Sequence, residues 1–114
     1  MIIKIRKAPA LNALYGTNKW GSKYIRPEGK AWKEELIYAI RGSGMNEFTG
    51  KVKLDVLLKT CRHQDIDSIL KILFDSIQAS EIIKDDYQIF ELVMKKVRVK
   101  KEDEGIEFEL SEII

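Results

Sequence analysis

Six charged residues in this 114-residue chain have types and spacings that suit phosphoryl chemistry: Asp65, Asp67, Lys71, Asp75, Asp85 and Asp86. Asp65 and Asp67 are two apart, so in extended backbone they point to one side, about 7 Å apart. Lys71 follows Asp67 by four residues and Asp75 follows Lys71 by four, so a helix sets these three along one edge. Carboxylates gathered within a few ångströms raise one another's pKa unless a cation holds them ionised. Hard oxygen donors select Mg²⁺ or Mn²⁺, which polarise a phosphoryl oxygen and activate water, while a nearby lysine neutralises charge at the phosphate. Each residue alone has a plainer role. Asp67 can cap a helix, Lys71 can pair with it, and Asp85-Asp86 can be an ordinary turn; the combination is what suggests phosphodiester hydrolysis.

The elements that must position these groups are legible from periodicity. Ile66, Ile69, Leu70, Leu73 and Ile77 draw one stripe and predict a helix over about 66–79, with the acidic edge turned away from that stripe. Upstream, Val52, Leu54, Val56 and Leu58 alternate with polar residues, which predicts a strand over 51–59. Another strand is expected from Tyr87 through Val99, then a hairpin turn at Glu102-Asp103-Glu104-Gly105 and a return strand through Ile106, Phe108 and Leu110. A helix opens at Pro27-Glu28 and stops at Gly42-Ser43-Gly44, and residues 2–7 read as a first strand ended by Pro9. The order β-α-β-α-β-β implies an α+β (mixed α/β) domain, 1–114, with a mixed sheet of about four strands and two main helices packed on it. If the 51–59 strand and the strand after the second helix are neighbours, they run parallel. Their facing ends then put Asp65-Asp67 and Asp85-Asp86 at opposite edges, unless the acidic turn folds back along the helix or a second subunit intervenes.

Composition narrows the class. The chain is 45% hydrophobic and 33% charged, enough for a modest core and too apolar for a disordered tail. It has no run long enough to span a membrane and no apolar signal segment, and its single cysteine, Cys61, makes no internal disulfide, so a cytoplasmic setting is expected. A domain this small also gains from pairing with a copy of itself. The formal net charge of +2 conceals an asymmetry: residues 1–30 carry seven Lys or Arg against one Glu, and the remainder sums to −4. Residues 10–27 read as a loop that interleaves Tyr15, Trp20 and Tyr24 with lysines. That pattern suits a grip on nucleic acid, or equally rings tucked onto the core beneath solvated lysines.

The run from Arg62 to Ile77, followed by Ile82 to Ile89, resembles the signature of the RusA family of Holliday junction resolvases: D-x-D-N-x-x-K-x-x-x-D, then D-D-x-Q. Ser68 stands where Asn is usual, and Ala8 departs from the family's proline-rich turn, which here ends in Asn12. The resemblance implies a homodimeric, Mg²⁺-dependent endodeoxyribonuclease (Mn²⁺ also serving) that resolves four-way junctions in DNA recombination and repair. By position Asp65, Asp67 and Asp86 would bind metal, Lys71 would be the catalytic lysine, and Asp75 and Asp85 would be supporting acids. DNA contacts are expected from Lys7, Asn12, Tyr15, Lys19, Lys23, Arg26 and Arg62. Two other readings share these features: a nuclease of branched or flap DNA in phage replication or packaging, and a catalytically silent DNA-binding module.

Overall fold

A computed structural model describes residues 2–6, 15–17, 19–61 and 66–114. Of the expected site residues, Asp65, Lys7, Asn12 and Arg62 lie outside the described residues, and of Tyr15 and Lys23 only the backbone is described. Strand β1 (Ile2–Arg6) is followed by a short antiparallel ribbon, β2 (Tyr15–Thr17) with β3 (Lys23–Ile25). Then come helix α1 (Pro27–Gly42), strand β4 (Val52–Thr60), helix α2 (Ile66–Ala79), strand β5 (Ile89–Arg98) and strand β6 (Gly105–Glu112). The main sheet has the order β1-β6-β4-β5, with β5 parallel to β4 and the other pairs antiparallel. The mixed α+β architecture expected from the sequence is the one observed, with one addition: residues 10–27 hold a two-stranded ribbon where a loop was expected.

Both helices cover one face of the sheet. Helix α1 starts at Pro27, whose fixed φ suits a first turn, with Arg26 extended before it, and buries Gly29, Trp32, Leu36 and Ile40 on one stripe. It ends where Ser43 donates from both its N–H (3.2 Å) and its Oγ (2.6 Å) to the Ile40 carbonyl, followed by Gly44 at φ +78°. Helix α2 buries Ile69, Ile72, Leu73 and Ile77 against Val52, Leu54, Val56 and Leu58 of β4 and Ile106, Phe108 and Leu110 of β6. The opposite sheet face carries Lys53, Asp55, Lys59, Glu107 and Glu109; Lys59 and Glu107 pair at 2.6 Å. That alternation of buried and half-exposed residues is what fixes the register of β4, since a one-residue slip would turn its apolar set to water.

The expected hairpin between β5 and β6 does not form. These strands flank β4 on opposite sides, so their connection must pass over the end of β4. It is held there by Val99, whose N–H donates to the Thr60 carbonyl at 3.1 Å. The Glu104 carboxylate also accepts from Thr60 Oγ1 (3.2 Å) and the Cys61 N–H (3.1 Å). The physical reason is burial. Gly105–Glu112 is largely buried and needs a strand on each side, whereas Ile89–Arg98 is exposed along most of its length and suits an edge.

Candidate functional site

On α2 the acidic edge is as the spacing predicts. Asp67, Lys71 and Asp75 are all exposed, and each steps about 6 Å along the helix axis from the last. Asp67 sits in the first turn, where unpaired N–H groups and the helix dipole favour negative charge. Packing and chemistry therefore use opposite sides of one helix.

The second acidic pair is placed by a different device. Asp85 precedes a single 3-10 turn over Asp86–Gln88, closed by the Gln88 N–H donating to the Asp85 carbonyl at 3.1 Å. The Gln88 side chain is buried and saturated: its Nε2 donates to the carbonyls of Phe48 (2.9 Å) and Gly50 (3.0 Å), and its Oε1 accepts from the Lys84 N–H (2.8 Å). Phe48 in turn donates its N–H to the Ile82 carbonyl at 2.8 Å. The turn is thus riveted to the segment that leads into β4. Gln88 fills the last place of the D-D-x-Q signature, where spacing alone assigns it no role; its role is to position the two aspartates.

The turn folds back toward α2. The side-chain hydrogen bond shared with Asp85, loss of hydration, and then the charges of Asp85 and Asp75 hold the Asp86 carboxyl above its ordinary pKa of 3.8. The structure therefore brings Asp75, Asp85 and Asp86 into one electrostatic group. Asp67 is not part of it, because the eight residues from Asp67 to Asp75 span about 12 Å along α2. Moreover, β5 begins level with Val52 at one end of β4, whereas α2 follows Thr60 at the other. Among the described residues, no three carboxylate, histidine or cysteine side chains form a ready metal cage.

The basic, aromatic stretch presents its rings outward. Between β2 and β3 the chain turns through Gly21, at φ +82°, and carries Trp20 with 76% of its surface exposed. Lys19 Nζ lies 4.4 Å from the centre of the Trp20 ring. Tyr24 is 47% exposed, and Arg26 is exposed just before α1. Of the two readings open for these rings, tucking onto the core is excluded for Trp20 and Tyr24. Trp20 is a candidate contact that the expected set of DNA-binding residues left out.

Two comparisons with known proteins point to one family. The family model described as "Endodeoxyribonuclease RusA" matches residues 8–111. A crossover junction endodeoxyribonuclease RusA of Aquifex aeolicus is 30% identical over 101 residues, covering 75% of this chain and 76% of the relative. A crossover junction endodeoxyribonuclease of Enterobacteria phage 82 is 26% identical over 96 residues, covering 82% of this chain and 79% of the relative.

Proposed function

Because the chain belongs to the RusA family of endodeoxyribonucleases, whose characterised relatives are Holliday junction resolvases, we propose that it works as a homodimer in the cytoplasm, cutting four-way DNA junctions by divalent-metal-dependent hydrolysis. The observation that carries this reading is the exposed Asp67-Lys71-Asp75 edge of α2 with the Asp85-Asp86 turn folded back toward the same helix. The donor chemistry fits a hard cation, since the mutual repulsion that disfavours ionised Asp86 is what a bound Mg²⁺ would relieve.

The family signature implies Asp65, Asp67 and Asp86 as the metal ligands. Within one protomer Asp67 and Asp86 stand at opposite ends of β4, so one ion held by all three would need the neighbouring subunit of the homodimer. Asp75 and Asp85 add negative potential around Asp86. Bound Mg²⁺ or Mn²⁺ would supply Lewis acidity and a nucleophilic hydroxide for attack on the scissile phosphate. Lys71, one turn beyond Asp67, would neutralise the charge that builds on the phosphate as the P–O bond breaks. Gln88 holds Asp85 and Asp86 in place without touching DNA. Lys19, Lys23 and Arg26, with Lys7 and Arg62, would bind backbone phosphates, and Trp20 and Tyr24 offer ring faces to an unstacked base. A four-way junction has two equivalent strands to cut, so a two-fold pair of protomers supplies two sites in the matching relation.

Selectivity is tested by cutting a synthetic four-way junction, a flap and a linear duplex side by side in Mg²⁺ at one fixed salt concentration, because phosphate contacts make affinity steeply salt-dependent. Symmetric nicks in the junction, with much slower cutting of the flap and duplex, are the expected result. Preferred cutting of the flap would instead assign the chain to branch processing.

A further inference from the structure

The D-D-x-Q signature leaves its third place open to any residue, and in this chain that place holds Tyr87. Its side chain is 70% exposed, between the acidic pair and the buried Gln88. We propose that Tyr87 is a DNA contact residue, its ring stacking on an unstacked nucleobase beside the scissile phosphate and so setting that phosphate against the metal held at Asp86. The proposal rests on the nuclease reading above and deepens it, since the signature gives this place no role.

A lone exposed tyrosine is ordinary on a protein surface. What singles out Tyr87 is where it stands and how firmly it is held. Its α-carbon is one peptide unit, about 3.8 Å, from that of Asp86. It is the middle residue of the 3-10 turn, which the Gln88 N–H closes on the Asp85 carbonyl at 3.1 Å. The Gln88 side chain then bonds to Phe48, Gly50 and Lys84, so the backbone beneath the ring is fixed before any ligand arrives. A ligand that lands on a pre-ordered platform loses less of its binding energy to ordering the protein.

A second ring lies three residues further on. The register of β5 on β4 steps from Val52 with Ile89 to Lys53 with Glu91, which leaves Phe90 as an extra residue, 59% exposed. Lys51 Nζ covers that ring, 4.8 Å from its centre. Phe90 is thus engaged within the protein. Among the described residues no hydrogen bond, ion pair or ring contact engages the Tyr87 side chain. Of the two rings beside the acidic turn, Tyr87 is the one with its faces open to a ligand.

The occupant follows from the chemistry of the site. A phosphate drawn to Asp86 through a divalent ion brings the base of its own nucleotide to the next side chain along the turn, and at a branch point the base stack is interrupted. Every base has a π-face, so the contact tolerates any base identity. Its use is in position. Attack needs the reacting atoms held about 3–3.5 Å apart, and a misplacement of about 1 Å can cost about a hundredfold in rate.

The test is single-turnover cutting of a synthetic four-way junction in Mg²⁺ by wild type, Tyr87→Ala and Tyr87→Phe. Each protein is given the intact junction and junctions in which one or the other base flanking the cut is replaced by an abasic site. A wild type that leaves the junction uncut contradicts the nuclease reading itself. Given cutting, Tyr87→Ala should be slower by about five- to a hundredfold, the loss of one base–aromatic stack, whereas Tyr87→Phe keeps the ring and should stay within about threefold of wild type. At one of the two flanking positions the abasic site should slow wild type by a similar factor and Tyr87→Ala no further, because the contact is already gone. Misfolding would not give that coupling between protein variant and substrate. Tyr87→Ala cutting as fast as wild type, Tyr87→Phe as slow as Tyr87→Ala, or abasic and Tyr87→Ala losses that multiply at both positions would each overturn the contact while leaving the nuclease standing.

Discussion

Asp86 carries its charge against its surroundings. Its folded-state pKa lies above 3.8, so the native chain holds that proton more tightly than the unfolded chain does. Stability is therefore lost as the pH rises from 3.8 through the raised value, and the whole penalty is in place at neutral pH. Asp86→Asn should raise the melting temperature at pH 7 in metal-free buffer, and the gain should vanish as the pH falls below 3.8, as a pair of thermal melts would show. Gln88, itself buried, acts on the same turn through three partly buried hydrogen bonds. Gln88→Ala should cost about 1–3 kcal/mol in denaturant unfolding and lower cleavage rate more than junction affinity, because it releases the acids without removing a DNA contact. Trp20 works on the other side of the reaction. Trp20→Ala should weaken junction binding by about 1–3 kcal/mol with little change in the salt slope, whereas loss of Lys19 should flatten that slope, by titration at several salt concentrations.

At the scale of elements, both main helices and β4 were legible, because 3.6- and 2-residue periodicities survive in sequence wherever one side of an element is buried and the other wet. The acidic edge of α2 was legible for the same reason. The pairing of the last two strands was not: the alternation of Phe108 and Leu110 with Glu107 and Glu109 is identical whether that strand returns beside β5 or crosses to the far side of β4. What decides the matter is the tie from Glu104 to Thr60 and Cys61, a contact 44 residues away in sequence. Glu104→Ala should leave those donors without their acceptor and destabilise the fold by about 1–3 kcal/mol, measurable by urea unfolding. The three-residue strands of the basic ribbon were too short to announce themselves, and the return of the Asp85-Asp86 turn toward α2 depends on Gln88 reaching Phe48 and Gly50, which spacing along one element does not reveal.

For the whole molecule, the near-balance of charge divides into a basic first thirty residues and an acidic remainder. The first part carries the exposed Lys19, Trp20, Tyr24 and Arg26, and the second carries the aspartates, whose charge becomes favourable near phosphate only when a divalent cation is present. A homodimer would bring two such sets to one substrate. The most direct measurement is single-turnover cleavage of a synthetic four-way junction in Mg²⁺ by the wild-type chain and by Asp67→Asn, with binding followed in parallel. The account predicts paired, ligatable nicks from wild type, none when Mg²⁺ is chelated, and an Asp67→Asn protein that binds the junction at least as tightly yet does not cut it. An Asp67→Asn protein that cuts as fast as wild type, or a wild type that binds the junction and leaves it intact in both Mg²⁺ and Mn²⁺, would contradict it.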